Sequence, residues 1–464
     1  MTKHLKRSRV TKAFADAGLV KSFLDAEARL DAGHVCVVLS ADQAATPAGQ
    51  AAALTAVATA YKCFGRVSFS TKRADAPLTF SLPIGATIGE GVATLGADVG
   101  VRIPASCTHV VQIGAGPRRT GWTVHCWWDR WLSGTRTGGS EQLGDSRLAL
   151  SGVFAGSLAV RQVFANVRLG AAHGARDETI SLWAPWEPGA ALARGPDRFT
   201  IPNNLWLVGL GHLGQGFVWS LMTLPYRGAR NAVLQDDQRI AEENEATSLL
   251  VLPNLKLGER KVRIASRWLE SAGWETSLIE RRHRGDLAPT PDDPPILVTG
   301  LDALPARRLL ANSGFDYMVD AGIGHGPGDF EGIQVRVIPK GANVDELWRT
   351  EQKPVSTVSD LARPTARDRL LAGEAYCNLD RTIGQCGTIQ IADASVAVPF
   401  VGAAAGALVV AQLARLASMQ PTGSLIQMEL GSPEMIIDGG QTKEPSSFLG
   451  GETMSLDNML PVAA

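Results

Sequence analysis

Closely spaced cysteine pairs of the C-x-x-C type are missing from this 464-residue sequence. Its six cysteines are scattered along the chain, at Cys36, Cys63, Cys107, Cys126, Cys377 and Cys386. Paired cysteines are the usual ligands of structural zinc, and regular cysteine spacing in short secreted chains marks a disulfide framework. The scattered spacing argues against both and predicts reduced thiols, as in a cytoplasmic protein.

An excess of either charge is also missing. The chain has 45 basic and 46 acidic residues and a formal net charge of −1, so its composition gives no reason to expect nucleic acid or an anionic membrane as a partner. No apolar run reaches the roughly 18 residues that a membrane-spanning helix needs. The polar start, residues 1–12, lacks the apolar segment of a secretory signal. These absences predict a cytoplasmic protein that binds neither nucleic acid nor membranes.

The most informative stretch is a glycine-rich turn that follows a short apolar run at residues 205–208. Its sequence from Gly209 to Gly214 is Gly-Leu-Gly-His-Leu-Gly, a G-x-G-x-x-G pattern. Gly209 allows a tight turn, Gly211 lets the backbone approach a phosphate, and Gly214 lets the following helix pack on the strand. The amino end of that helix attracts an anion. We interpret His212 as a spacer that faces solvent.

Three polar residues extend this pattern. A predicted strand at residues 231–235 ends at Asp236, where such βαβ units place the carboxylate that meets a ribose hydroxyl. Lys261 begins a later helix, and Asp302 follows a predicted strand at residues 295–300. A lysine neutralises phosphate charge, and a spare carboxylate holds Mg²⁺ against a triphosphate. The set indicates adenylyl transfer, because a nicotinamide enzyme would use the glycines and Asp236 but not the other two residues.

These motifs resemble those of ubiquitin-activating enzymes and their bacterial relatives, the ThiF/MoeB-type (HesA) adenylyltransferases. The family's acidic segment is similar to residues 236–244, with these residues in register: Asp236, Ile240 and Asn244. Its G-x-x-K motif is similar to residues 258–261. Its magnesium aspartate, followed by an arginine and an asparagine, is similar to Asp302, Arg307 and Asn312. The resemblance covers about residues 200–420.

The resemblance implies an enzyme that uses ATP and Mg²⁺ to adenylate the C-terminal carboxylate of a ubiquitin-like protein. The acyl group would then move to a cysteine as a thioester and pass to a conjugating-enzyme-like protein, as in bacterial ubiquitin-like conjugation in antiviral defence. Implied ATP-binding residues are Gly209, Gly211, Gly214, Asp236, Asn244 and Lys261. Implied catalytic residues are Lys261, Asp302 and Cys386, and Asp302 is the implied metal ligand.

Two departures from the family pattern bear on the site. The family's second aspartate is Gln238 here, and a phosphate-binding arginine is replaced at Thr247. In relatives, a further arginine comes from the N-terminal segment of a partner copy. Arg7 or Arg9 is the candidate for that arginine in this chain.

The thioester cysteine also has two candidates. In enzymes that this chain resembles, it lies in a crossover segment ahead of the final helix, where Cys386 stands between Gln385 and Gly387. A neighbouring glycine favours an accessible sulfur, and the nearby Arg381 would favour the thiolate. Cys377 lies in the same segment and is the rival.

A repeated pattern predicts two related halves. A small-residue helix at residues 151–164, followed by a loop and a strand, is repeated at residues 401–414. We therefore predict an α/β fold of two Rossmann-like, mostly parallel sheets. Residues 1–195 would form a degenerate, inactive adenylation-like domain, and residues 196–464 the active one, with a crossover segment at about 341–395. The first half would act as an intramolecular pseudo-partner, and a homodimer is the alternative.

Three other functions stay open at this point. The enzyme could adenylate a sulfur-carrier protein or a peptide without forming a thioester. An NAD-dependent oxidoreductase would also use a glycine loop and an acid after the second strand. A noncatalytic scaffold that binds nucleotide or a ubiquitin-like protein would fit the missing arginine at Thr247.

Overall fold

The computed structural model describes residues 6–116, 121–138, 142–170, 172–187, 193–253, 255, 257–324, 329–348 and 365–458. It contains two large sheets that follow one another along the chain. Each sheet has helices packed on it, so the predicted α/β class with mostly parallel sheets is confirmed.

The first sheet has seven strands: β1 (Val35–Leu39), β2 (Val67–Ser70), β3 (Ala97–Gly100), β4 (His109–Ile113), β5 (Trp122–Asp129), β6 (Leu132–Arg136) and β7 (Glu178–Ser181). Their order is β3-β2-β1-β4-β5-β6-β7. Strands β1 to β5 are parallel, and β6 and β7 return antiparallel. The helices of this half are α1 (Ser8–Ala15), α2 (Phe23–Asp31), α3 (Pro47–Phe64), α4 (Ile88–Thr94) and α5 (Ala149–Leu169).

The second sheet has eight strands: β9 (Asn204–Val208), β10 (Asn231–Gln235), β11 (Glu275–Ile279), β12 (Ile296–Thr299), β13 (Tyr317–Ile323), β14 (Gly332–Pro339), β15 (Leu425–Glu429) and β16 (Ser432–Asp438). A separate two-stranded sheet pairs β8 (Arg198–Ile201) with β17 (Glu452–Ser455). The helices are α6 (His212–Met222), α7 (Asn244–Thr247), α8 (Lys261–Ser271), α9 (Leu304–Ala311), α10 (Val344–Leu347), α11 (Ala366–Leu371), α12 (Glu374–Asp393) and α13 (Pro399–Ala417).

The first seven strands of the second sheet have the same order and directions as the seven strands of the first sheet. The second runs β11-β10-β9-β12-β13-β14-β15-β16, with β9 to β13 parallel and the rest antiparallel. Thus each sheet starts at a central strand, adds two neighbours on one side and then continues on the other. This order predicts where a ligand binds. The connections from neighbouring strands run to opposite sides beside the first strand, and this opens a crevice at the carboxyl ends of the parallel strands.

Each of the two small-residue helices packs closely against another helix. In the first half, α5 packs on α3, and a Cβ added at Gly152 would lie 2.1 Å from the carbonyl oxygen of Ala48. In the second half, α13 packs on α6, and a Cβ added at Gly216 would lie 1.9 Å from the carbonyl oxygen of Gly402. Helix backbones approach this closely where the crossing residues are glycine or alanine, which explains the repeated composition.

The two halves share one hydrophobic core. Helix α13 also packs on α5, and a single cluster of buried apolar residues includes side chains from both halves. Buried polar contacts cross the same interface: the indole N–H of Trp219 donates to Oγ1 of Thr55 at 2.9 Å, and Nε of Arg161 donates to Glu331 at 2.8 Å. The first half therefore packs against the second along the helices that each sheet carries.

Helix α13 qualifies the expectation that no apolar stretch is long enough for a membrane. Among the described residues it is the single helix that is long and apolar enough to cross a bilayer, and every residue in it is buried in the protein core.

The chain after the second sheet is more regular than its composition indicates. The Gly- and Pro-rich tail after residue 430 contributes strands β16 and β17. The described part of the predicted crossover segment is mostly helical, in α10, α11 and α12. Residues 349–364 of that segment lie outside the described residues.

Candidate active site

The glycine turn joins β9 to α6 at the carboxyl edge of the second sheet. Gly209 has a φ of +83°, which favours glycine because it lies in the left-handed region. A Cβ added at Gly214 would lie 2.0 Å from the carbonyl oxygen of Gly209, so the helix packs directly on the turn. Helix α6 starts at His212, and its cap residue Gly211 has no side chain to occupy the first amide groups. This geometry suits an anion at the helix start.

A cleft of about 270 Å³ opens over this turn. Its walls come from the carboxyl ends of β9, β10, β12 and β13, and from the N-terminal segment of the chain. Most of the predicted site residues line it together: Arg9, Gly209, Gly211, Asp236, Asn244, Lys261 and Asp302. Gly214, the third residue of α6, is not among the residues that line the cleft. The structure thus gathers residues that are far apart in sequence around one cavity.

Asp236 is buried at the end of β10 and accepts two backbone hydrogen bonds. Its Oδ2 accepts from the N–H of Leu210 at 2.7 Å, and its Oδ1 accepts from the N–H of Gln238 at 2.7 Å. The carboxylate therefore holds the glycine turn and the segment after β10 in place. A carboxylate oxygen has a second lone pair, which leaves capacity for a ribose hydroxyl.

Lys261 reaches the cleft from the first residue of α8. Its Nζ donates to Oε1 of Gln238 at 2.6 Å, so the glutamine at the family's second aspartate position orients the lysine. Burial lowers the pKa of Lys261, and the carboxylate of Asp236 opposes this shift. A partly desolvated cation of this kind interacts strongly with phosphate charge.

Of the two predicted arginines, the structure places Arg9 at the cleft. Its Nε donates to the carbonyl oxygen of Ser395 at 2.9 Å, and one Nη donates to Oγ of Ser395 at 2.8 Å. Burial lowers its pKa, while the carboxylates of Glu243 and Asp302 raise it. The guanidinium keeps its charge, because an arginine is not deprotonated in proteins.

The alternative assignment, Arg7, is wrong for this structure. Its guanidinium donates to the carbonyl oxygen of Cys63 at 3.2 Å and pairs with Glu27 and Asp31. These contacts join the start of α1 to α2 and α3, and Arg7 does not line the cleft, so it has a structural role.

Asp302 is an exposed carboxylate that lines the cleft beside the glycine turn. It does not cap a helix, because α9 starts at Leu304 and its cap residue is Ala303. Within the described part of the chain, no side chain donates a hydrogen bond to it. Mg²⁺ in nucleotide sites is held by one or two carboxylates together with phosphate oxygens and water. Asp302 fits that requirement as the protein ligand.

Of the arginine and asparagine that follow Asp302, Arg307 also lines the cleft and Asn312 does not. Arg307 is buried, and its Nε donates to both oxygens of Asp320, at 2.9 and 3.0 Å. Asp320 also accepts from Oγ1 of Thr299 at 2.6 Å. Asn312 caps the far end of α9. Arg307 and Asp320 therefore hold β12, β13 and α9 together at the wall of the cleft.

His212, which the sequence pattern predicts to face solvent, is half-buried and lines the cleft. Its Nε2 donates to the carbonyl oxygen of Val398 at 2.8 Å, and the ring packs against Gly402 of α13. Burial lowers the pKa of His212 to about 4, so the ring is neutral near pH 7. Its position fixes the start of α6 against the start of α13.

Both candidate cysteines lie on α12 and are exposed. The helix is kinked at Gly384, where φ is +78°, between the two cysteines. Arg381, which we expect to favour a thiolate at Cys386, donates to Oδ1 of Asn378 at 3.1 Å. Neither cysteine lines the cleft.

The loop after β11 is a part of the cleft that the sequence analysis missed. It contributes Arg281, Arg282 and His283, and both ring nitrogens of the buried His283 lack hydrogen-bond partners. Strand β11 is a polar edge strand, Glu-Thr-Ser-Leu-Ile. Its pattern gives little signal in the sequence.

The corresponding turn of the first sheet has a different shape. Seven residues separate β1 from α3, and residues 43–45 form a 3₁₀ turn there. A Cβ added at Gly114 would lie 1.9 Å from Oγ of Ser40 and 2.6 Å from the Gln43 side chain. Side chains of this longer turn occupy the space beside β4.

Comparisons with solved structures find partial matches to E. coli MccB. A crystal structure of E. coli MccB aligns with a TM-score of 0.35 and 15% identity, covering 54% of this chain and 66% of that one. A crystal structure of E. coli MccB with ATP aligns with a TM-score of 0.32 and 14% identity, covering 53% and 66%.

Comparisons of sequence give a more extensive match. The family model described as the BilD C-terminal domain matches residues 201–420, and the BilD N-terminal domain model matches residues 34–182. A bacterial E1-like protein BilD from Collimonas sp. (strain OK412) is 32% identical over 305 residues, covering 64% of this chain. The match spans 63% of that relative, which is less than two thirds of its length.

Proposed function

We propose that this chain, which matches the BilD domain models and a bacterial E1-like protein, adenylates the C-terminal carboxylate of a ubiquitin-like protein with ATP and Mg²⁺. The observation that carries the proposal is the convergence of Arg9, Lys261 and Asp302 on the cleft over the glycine turn. Two cations and one free carboxylate beside a phosphate-binding turn are what transfer of an adenylyl group requires.

The residues of the cleft support each part of the adenylation step. An oxygen of the substrate carboxylate attacks the α-phosphorus of ATP, the bond to the β-phosphate oxygen breaks, and pyrophosphate leaves with the electron pair. Lys261 and Arg9 stabilise the negative charge that develops on the phosphate oxygens. Asp236 orients the nucleotide through its ribose, and Asp302 would hold Mg²⁺, which neutralises triphosphate charge.

A second step would transfer the acyl group to a cysteine. The Cys386 thiolate would attack the acyl carbon, a thioester bond would form and AMP would leave. The exposed position of Cys386 on α12 supports this step, because the sulfur must reach both the adenylate and a conjugating enzyme. Cys377 is exposed on the same helix and is the alternative nucleophile.

The first half is proposed to serve as the partner copy within one chain. Its helix α1 delivers Arg9 to the cleft of the second half, where it lies against Ser395. That placement supplies from the same chain the cation that the sequence lacks at Thr247.

Adenylation without a thioester is a second candidate, because neither cysteine lines the cleft. Such an enzyme would release or pass on the adenylate of a peptide or a sulfur-carrier protein. The two functions differ in whether a thiol-sensitive adduct forms.

The test is ATP–pyrophosphate exchange with candidate ubiquitin-like proteins. Asp302→Ala is expected to abolish exchange and to leave the free energy of unfolding within about 0.5 kcal/mol, because the side chain is exposed. Asp316→Ala is the matched control: Asp316 is also exposed, pairs with Lys340 and precedes the amino end of β13, away from the cleft. Full exchange by Asp302→Ala would contradict the assignment.

A further inference from the structure

Lys62 of the first half reaches into the second half next to the nucleotide cleft. It lies near the end of α3 and is buried. Its Nζ donates to the carbonyl oxygen of Glu245 at 2.8 Å and to that of Val251 at 2.6 Å. Asn244 lines the cleft, and both carbonyls belong to the segment that follows it in the chain.

That segment is connected to the glycine turn by further hydrogen bonds. The N–H of Leu250 donates to Oε1 of Gln215 at 2.9 Å, and Nε2 of Gln215 donates to the carbonyl oxygen of Leu210 at 3.2 Å. Leu210 in turn donates its N–H to Asp236 at 2.7 Å. Gln215 is 1% exposed. A continuous buried polar network therefore extends from Lys62 to the phosphate-binding turn.

We propose that Lys62 is a positioning residue for the glycine turn, supplied to the second half by the first half of the chain. The segment it holds has weak structure of its own, because α7 has four residues and a single helical turn is unstable alone. Without Lys62, the buried carbonyl of Val251 and the part-buried carbonyl of Glu245 would lose this donor, and the segment would shift to reach water. Gln215 would carry that shift to Leu210 and the turn.

The contact does not depend on the charge of the lysine. Burial lowers the pKa of Lys62 to about 7, and the Glu245 carboxylate opposes this shift. Both the ammonium and the neutral amine carry N–H groups for two carbonyl acceptors. The first half would therefore be retained because it completes the nucleotide site, in addition to delivering Arg9.

The experiment compares Lys62→Met with Gln412→Met in the full-length chain. Gln412 is a matched control, because it is fully buried and donates across the same interface, to the carbonyl oxygen of Leu182 at 3.1 Å, away from the cleft. Both variants are expected to lower the melting temperature. Lys62→Met alone is expected to weaken ATP binding about tenfold, measured by calorimetry. Amide hydrogen exchange at residues 208–216 should be faster in Lys62→Met than in Gln412→Met.

A second variant tests the network itself. Gln215→Met leaves the contact between the halves intact and is expected to weaken ATP binding by a similar factor. The double variant should show little further loss, because both residues act through one network. If Lys62→Met and Gln412→Met lower the melting temperature alike while ATP affinity and exchange at residues 208–216 stay unchanged, Lys62 is a stability contact and the inference is wrong. Should Lys62→Met not fold, unchanged ATP affinity and unchanged exchange in Gln215→Met would overturn it.

The inference depends on the proposed function only in taking ATP as the ligand. Amide hydrogen exchange at the turn, measured in the absence of nucleotide, reports whether the backbone there is held in place. A wild-type chain that binds no ATP would therefore contradict the proposed function, while faster exchange in Lys62→Met would still support the inference.

Discussion

The backbone N–H of Leu210 donates to Oδ2 of Asp236 at 2.7 Å, so the residue proposed to hold ribose also holds the glycine turn. This double role has consequences for mutation. A change at Asp236 would alter the shape of the glycine turn as well as the proposed ribose contact.

Asp236→Asn is therefore expected to lower both stability and ATP affinity. The asparagine NH₂ group would face the backbone N–H of Leu210 or of Gln238, and that N–H would lose its acceptor. A buried donor without an acceptor costs about 1–3 kcal/mol. Urea unfolding and calorimetric ATP binding measure the two effects. Asp98→Asn on β3, an exposed aspartate of the other sheet, should change neither. A loss of affinity at unchanged stability would show that Asp236 contacts ligand alone.

Arg9→Ala is expected to reduce pyrophosphate exchange by about a hundredfold or more. The reason is that a cation beside the transferring phosphate in a partly buried site is worth several kcal/mol in the transition state. Arg7→Ala is the matched control, since it lies on the same segment but pairs with Glu27 and Asp31. It should lower stability and keep exchange. Exchange at the full rate in Arg9→Ala would exclude an arginine from the first half.

A point substitution is needed here, because deletion of residues 1–12 would remove more than a charge. Val10 is fully buried, and Nζ of Lys12 lies 2.7 Å from Asp16 and donates to the Tyr376 hydroxyl at 2.8 Å. The truncated chain would lose the packing of α1 against α12 and would be destabilised.

Cys386→Ala is expected to abolish a dithiothreitol-sensitive adduct with the ubiquitin-like protein and to keep pyrophosphate exchange. Cys377→Ala should retain the adduct. Nonreducing electrophoresis after incubation with ATP measures this. If the adduct is lost in Cys377→Ala and kept in Cys386→Ala, Cys377 is the nucleophile. If neither cysteine is needed and exchange is normal, adenylation without a thioester is the better function.

His212 is expected to make the protein sensitive to acid. Its pKa in the folded state is about 4, below the ordinary value of 6.5. Between these values the unfolded chain binds more protons, so the free energy of unfolding falls as pH decreases from 6.5 to 4. The limit of this loss is about 3 kcal/mol. His212→Gln, which keeps a neutral donor, should show a smaller decrease. Urea unfolding of both proteins at pH 7, 5.5 and 4.5 tests this; equal slopes would contradict it.

The sequence by itself determined the fold class and the position of the glycine turn. A buried strand, a G-x-G-x-x-G turn and a helix are adjacent along the chain, and their geometry is local. Asp236 and Asp302 could be predicted for a similar reason. Asp236 and Asp302 each follow a parallel strand, and the carboxyl ends of parallel strands meet at one edge of the sheet. Lys261 begins α8 and was predicted from its resemblance to a G-x-x-K motif. The small-residue helices could also be predicted from the sequence, because close helix crossings require glycine and alanine at fixed spacing.

Only the tertiary structure decided which distant residues complete the site. Arg9 and Arg7 are two residues apart in sequence, and the packing of α1 turns one toward the cleft and the other away. The edge strand β11 and His283 were missed because a polar strand lacks an apolar pattern. Lys62 is an ordinary helix-end lysine in sequence, and its burial against the second half comes from the contact between the halves. Such long-range contacts depend on how whole elements pack, which local periodicity does not encode.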